Sequence, residues 1–317
     1  MNFLPTFKGR QLFLPKQELP FMSLARGAFV ASMVAILASL IFWSSMGLNF
    51  GVDFKGGSMI EVRAKAEQAD ISDLRGKVGG LGLGSVQITT FGTPRDVLIR
   101  IEEQPGGAPA QQAALDKIIK TIGDGYEQRR VEVVGPAVSS ELRTTGIIAV
   151  LCSILAIILY VWFRFEWQFA IGAVVALVHD VIITVGIFSL LQLEFDLSTV
   201  AALLTILGYS VNDTVVVSDR IRENLRKYKR MEITQLLNMS INETLPRTLM
   251  TSLTTLVVLV ALYVLGGEVI RNFTFAMMFG IIVGTYSSIF IASPLLAFLG
   301  VKRDWSGLAK EATPAAS

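Results

Sequence analysis

Two carboxylates stand inside stretches of sequence that are otherwise apolar. Asp180 is the 13th residue of the run 168–193, and Asp213 is the 17th residue of the run 197–217. Arg247 sits immediately before a third run, 248–267. A charge at the centre of a membrane-spanning helix costs about 2.5–3.5 kcal/mol on insertion scales, so such residues face a bundle interior or a wet cavity and pair there. The chemistry open to them is proton carriage. Burial raises a carboxyl pKa and a nearby cation lowers it. A carboxyl that alternates between a protonated state and a guanidinium-paired state therefore binds or releases a proton when the cation moves. Asp213 and Arg247, opposite in sign and at similar depth on successive helices, are the candidate pair.

Hydroxyls and amides surround these charges at helical spacing. Thr205, Tyr209 and Asp213 are four apart and share a face, with Asn212 beside them. Asp180 and Thr184 are four apart, as are Arg247, Thr251 and Thr255. Together they predict one hydrated seam through a helix bundle. Simpler readings stand beside it. Asp213 and Arg247 can snorkel to the cytoplasmic headgroups, as charges near helix ends do. Asp180 can serve as a structural hydrogen-bond acceptor. His179 can be a satisfied polar core residue or a proton relay, since imidazole has an ordinary pKa of about 6.5. Gly280, Gly284 and Ser288, also four apart, form a small-xxx-small stripe that suits close helix packing.

The elements that must position these residues are membrane helices. The chain has 317 residues, 52% hydrophobic and 17% charged, and its mean hydropathy is +0.56. A soluble domain averages about 45–50% apolar and about 25% charged residues, so the composition argues against an ordinary soluble enzyme. Six runs are long enough to span a bilayer: 27–48, 144–163, 168–193, 197–217, 248–267 and 272–301. The first is 22 residues long and begins well inside the chain, which predicts an uncleaved helix rather than a signal peptide.

Orientation follows from the basic residues of the short loops. Segments 1–26, 164–167, 218–247 and 302–317 carry 15 Lys and Arg, whereas the two short loops on the other side carry only Arg271. The 15-residue side is therefore the cytoplasmic one, with both termini inside and residues 49–143 outside. Within 218–247, Ile221, Leu225 and Tyr228 lie among basic residues, which predicts an amphipathic helix on the membrane surface.

The outer segment 49–143 reads as a small α+β domain. VDFKGGSMIEVRA becomes strand-like after its Gly-Gly turn, and DISDLRGKV is a capped helix. SVQITTF and DVLIRIE are strands around Gly-Thr-Pro, QQAALDKIIKTIG is an amphipathic helix, and RRVEVVG is a last strand. The order β-α-β-β-α-β is the ferredoxin-like pattern. The glycines of LGLGS (81–85) predict a turn rather than a phosphate cradle, since no helix start follows.

Several function classes drop out. His179 and Cys152 are the only residues of their types, so a zinc site and an internal disulfide are excluded. A net charge of +2 gives no footprint for nucleic acid. No nucleotide-binding or nucleophile motif is present, so neither an enzymatic activity nor a resident cofactor is expected.

Longer motifs carry a resemblance. GVDFKGGSMIEV (51–62) resembles the signature that opens the periplasmic domain in the SecD/SecF family. ALVHDVIITVGIF (176–188), GYSVNDTVVVSDRIRENLRK (208–227) and the stretch 245–296 that begins LPRTLMTS are similar to the core of its SecF branch. The resemblance covers roughly Phe50–Leu296. It implies a place in the resistance-nodulation-division superfamily and in the bacterial inner membrane. It implies SecD as the partner that supplies a second six-helix half, association with the SecYEG channel, and in many bacteria YajC and YidC. It implies use of a proton gradient, with sodium as the alternative ion, to move an unfolded polypeptide. Asp213 is then the main proton-carrying carboxylate, Arg247 its cationic partner, and Asp180 a weaker candidate. Two other functions remain open to such a sequence: a small-molecule efflux transporter of the same superfamily, and a structural subunit without ion coupling. The single outer segment and six helices argue against the former, and charges buried in the membrane would argue against the latter.

Overall fold

A computed structural model describes residues 19–84, 86–267 and 270–301. Most of the expected cytoplasmic segment 1–26, and all of the tail 302–317, lie outside the described residues. Among the described residues, six helices are long and apolar enough to cross a membrane: α1 (Phe21–Met46), α5 (Pro136–Arg164), α6 (Trp167–Leu191), α7 (Leu197–Lys227), α8 (Ile233–Leu265) and α9 (Arg271–Ser287), which continues into α10 (Ser293–Phe298). The chain is a multi-pass membrane protein. Between α9 and α10 the helix widens into a π turn over Ser288–Ala292. Ser293 there donates its hydroxyl to the Ser288 carbonyl at 2.8 Å, five residues back. Pro294, which has no N–H, follows directly.

Several helices outrun the apolar runs that announce them. α5 begins at Pro136 rather than near 144, because proline suits a first helical position and the polar SSELR that follows is compatible with a helix outside the lipid. Residues 218–247 depart further from expectation. It is not an amphipathic helix on the membrane surface. α7 runs on to Lys227, α8 starts at Ile233, and the two form a tight hairpin. Ile221 and Leu225 are buried against Leu236, Leu237 and Ile241 of the same hairpin. An apolar stripe on a helix requires an apolar partner, and here the chain supplies its own. Asn224 locks the hairpin, donating to Ser240 at 2.9 Å and to Glu243 at 2.7 Å.

The segment expected to be the outer domain contains β2 (Gly57–Ala64), α3 (Ile71–Gly79), β3 (Val86–Phe91), β4 (Thr93–Ile101), α4 (Gly107–Ile122) and β5 (Tyr126–Val134). Its antiparallel sheet has the order β3-β4-β2-β5, the ferredoxin-like arrangement. One face carries Ile60, Val62, Val97 and Ile99, all fully buried against Leu74 and Val78 of α3 and Leu115 and Ile118 of α4.

Two short strands tie this domain to the helices. β1 (Asn49–Phe50) pairs in parallel with β6 (Glu194–Phe195) in the α6–α7 turn. The short helix α2 (Val52–Lys55) follows β1, and its Asp53 accepts a hydrogen bond from the backbone N–H of Leu197 at 3.0 Å, at the start of α7. Asp196 caps the same helix by accepting from the Thr199 N–H at 2.8 Å. The glycine pair has a backbone reason. Gly56 and Gly57 both have positive φ, and a Cβ on Gly57 would meet the carbonyl of Ile101.

Candidate functional site

Asp180 is fully buried in α6, where three groups hold its carboxylate. His179 Nδ1 lies 2.9 Å from Oδ1, while Ser210 of α7 and Ser287 of α9 donate to Oδ2 at 2.6 and 2.9 Å. The His179 ring stacks on Tyr286 at 6.1 Å between centroids. Tyr286 in turn donates to the Ala28 carbonyl at 2.7 Å and lies 2.9 Å from the Ser32 hydroxyl, both in α1. One polar network therefore crosses from α1 through α9 and α6 to α7. Thr184, a turn above Asp180, is fully buried, and its hydroxyl has no hydrogen-bond partner.

Asp213 is also buried, 7% exposed. Its Oδ1 accepts a hydrogen bond from Thr248 of α8 at 2.6 Å, and its Oδ2 has no partner. Ser288 stands close to this carboxylate, but its hydroxyl is engaged with the Gly284 carbonyl at 3.0 Å and with Thr214 at 2.9 Å. Arg247 precedes Thr248, and residues one apart on a helix point about 100° away from each other. Its side chain is exposed on the α8 surface, near enough for its charge to bear on Asp213 but not paired with it. The carboxylate is thus held away from lipid, and the guanidinium looks outward.

The rest of the expected seam divides. Tyr209 and Thr255 approach each other at 3.4 Å between hydroxyls. Thr205, Asn212 and Thr251 lie on exposed faces; Thr205 and Thr251 turn their hydroxyls back to their own helices, onto the Ala201 and Thr248 carbonyls. Together with Arg247 they form an outward polar stripe on α7 and α8. Gly280 packs against Ile206 and Gly284 against Ser210, with no room for a Cβ at Gly280. The small stripe therefore brings α9 onto α7, and Gly284 also lies beside Asp180.

The sequence pointed to Asp180, His179 and Asp213 but not to the hydroxyls that hold them. Ser210 lies three residues before Asp213, Ser287 three after Gly284, and Thr248 next to Arg247. Helical spacing around the charges was the available signal. Which hydroxyl faces a carboxylate depends on helix rotation, which only packing sets.

Fold and site define a class: a multi-pass membrane protein with, among the described residues, six apolar helices, one ferredoxin-like domain outside them and two carboxylates buried between helices. Residues 114–302 match the profile of the protein export membrane protein SecD/SecF C-terminal region, and residues 41–67 match the SecD/SecF GG motif. The chain belongs to the SecD/SecF family. Protein translocase subunit SecF of Magnetococcus marinus is 48% identical over 311 residues, covering 96% of this chain and all of that protein. SecF of Cereibacter sphaeroides is 46% identical, covering 91% of each. The crystal structure of SecDF from Thermus thermophilus, described as a translocon-associated membrane protein, superposes with a TM-score of 0.81 at 38% identity. That match covers 90% of this chain and 39% of the longer SecDF chain. These relatives are named as translocase subunits, not as enzymes, and family membership places the function in assisting protein translocation by the Sec pathway.

Proposed function

We propose that this chain is the SecF-type half of a proton-driven complex in the bacterial inner membrane, with both termini cytoplasmic and the ferredoxin-like domain periplasmic. Its partner is SecD, and together they assist the passage of an unfolded polypeptide through the SecYEG channel; YajC and YidC are further associates. The single observation that carries the reading is Asp213: a buried carboxylate in α7 with one oxygen bonded to Thr248 and the other unpartnered. The unpartnered oxygen is where a proton adds. Neutralisation removes the cost of holding a charge in the membrane, and approach of the Arg247 guanidinium restores the charged form. Movement of Arg247 toward and away from Asp213 then couples proton binding to a change in helix packing. The complex needs no resident cofactor, the proton (or sodium) being its transported ion, and it converts no substrate chemically. Asp180, with His179, is the second proton-coupling group.

The test is Asp213→Asn in the assembled complex. The variant should assemble normally, while the stimulation of polypeptide export by the proton gradient falls tenfold or more. Unchanged gradient dependence would leave a structural role as the correct one. Substituting sodium for proton gradients in vesicles decides the coupling ion.

A further inference from the structure

A second site lies on the lipid side of the bundle. α1 and α5 both pack on α6, and a groove of about 350 Å³ opens between them. That volume falls in the range of about 300–1,000 Å³ typical of ligand pockets. Val185 of α6 and Leu203 of α7 contribute to its lining, and Trp43 of α1 and Ile147 of α5 stand on either side, both more than half exposed. Gly146 also borders the space; a side chain there would begin to fill it, since its Cβ would already touch Val200 at 3.7 Å.

One charged residue reaches this otherwise apolar groove. Arg143 lines it, is exposed, and has no ion-pair partner among the described residues. It lies 21 residues before Arg164 on the same helix, a rise of about 32 Å, close to the roughly 30 Å thickness of the hydrocarbon layer. The two arginines of α5 therefore mark opposite membrane boundaries. Trp43, near the outer end of α1, sits where indole rings collect at that boundary.

We infer that this groove binds a phospholipid of the outer leaflet, one acyl chain lying between α1 and α5 and the headgroup phosphate on Arg143. The apolar lining matches the chain, and the unpaired guanidinium at headgroup depth matches the phosphate in charge and in geometry. The inference rests on the membrane reading of the helices and not on ion coupling through Asp213.

Native mass spectrometry of the full-length protein in mild detergent, titrated with phosphatidylglycerol, tests it. The wild type should retain the lipid. Arg143→Gln should weaken retention about fivefold, the ratio one basic side chain near an anionic surface supports. Gly146→Leu, which fills the groove, should abolish it. Ile147→Trp, at a lipid-exposed position, should narrow the mouth and weaken retention should Gly146→Leu fail to fold. Asp213→Asn should bind as the wild type does, which separates this site from the coupling site. Equal retention by wild type, Arg143→Gln and Ile147→Trp would overturn the assignment, as would displacement of the lipid by inorganic phosphate alone.

Discussion

Thr248 of α8 donates its hydroxyl to Oδ1 of Asp213 on α7 at 2.6 Å, while the neighbouring Arg247 is exposed and makes no ion pair with that carboxylate. A neutral donor keeps the carboxylate in place without fixing its charge. Hydrogen bonds to charged groups contribute about 1.5–3 kcal/mol. Thr248→Val, which keeps the shape and deletes the donor, should reduce gradient-stimulated export about tenfold, while Thr248→Ser should keep most of it. An export assay in inverted vesicles distinguishes the two. Equal loss in both variants would mean that the methyl, not the hydroxyl, matters.

Asp180 presents the opposite design. Both of its oxygens are engaged, and no part of it is exposed. Removing one partner of a buried polar network strands the others, at a cost of about 3–5 kcal/mol for a charged member. Asp180→Ala should therefore lower the thermal unfolding midpoint in detergent far more than Asp180→Asn, whose carbonyl oxygen can still accept from Ser210 and Ser287. If the alanine and asparagine variants melt alike, the network contributes little to holding α6, α7 and α9 together.

The contrast between these two acids shows what a sequence carries. Lone carboxylates in apolar runs were legible because few residues of the kind occur there without a role. The six helices were legible from runs without charge, and the outer domain from its alternation of strand and helix. The partners of the acids were not legible. Threonine and serine occur all along these helices, and a rotation of one residue decides whether Thr248 or Arg247 faces Asp213. The hairpin at Ile221 and Leu225 was missed for a related reason. Amphipathicity states that an apolar face will be covered, but not whether lipid or Leu237 covers it.

Close helix approach gives an ordered pair of predictions. A Cβ on Gly186 would collide with Ser39 of α1, including its Cα at 2.8 Å, whereas the three atoms nearest one on Gly280 all belong to the side chain of Ile206. Backbone yields less readily than a side-chain end. Gly186→Ala should cost about 1–3 kcal/mol of stability, and Gly280→Ala should cost less. Thermal unfolding of both variants in the same detergent checks the order.

In the outer domain, Arg63 donates to Asp96 at 2.6 and 3.0 Å, and Thr93 donates to it at 2.6 Å. The Arg63 guanidinium holds the Asp96 carboxyl below the usual carboxylate range. A depressed folded-state pKa stabilises the fold above the unfolded value, about 3.9, and that stabilisation is lost as the pH falls through the lower folded value. Asp96→Asn should accordingly flatten the acid side of the stability profile while lowering the plateau near neutrality. Hydrogen exchange of β2 and β4 in the full-length protein, followed from pH 7 to pH 3, reports both effects.

Arg100 on β4 pairs with Glu194 in the α6–α7 turn, and both side chains are largely buried, 17% and 18% exposed. This bridge joins the outer sheet to the loop that leads into α7, the helix of Asp213. Burial holds the Arg100 guanidinium below its ordinary value, opposed by the charges of Asp196 and Asp53. Any tilt of the outer domain relative to the helices must therefore break or carry this pair. Arg100→Gln leaves Glu194 near Asp53 and Asp196 without its counter-charge, so the sheet should loosen from the helices while each half stays folded. Limited proteolysis should then cut faster around residues 47–51 and 134–136, and gradient-stimulated export should fall although Asp213 is intact. The exchanged pair, Arg100→Glu with Glu194→Arg, restores opposite charges across the junction and should recover part of both readouts. Proteolysis and export that match the wild type in Arg100→Gln would show that the β1–β6 pairing and Asp53 hold the junction without the bridge.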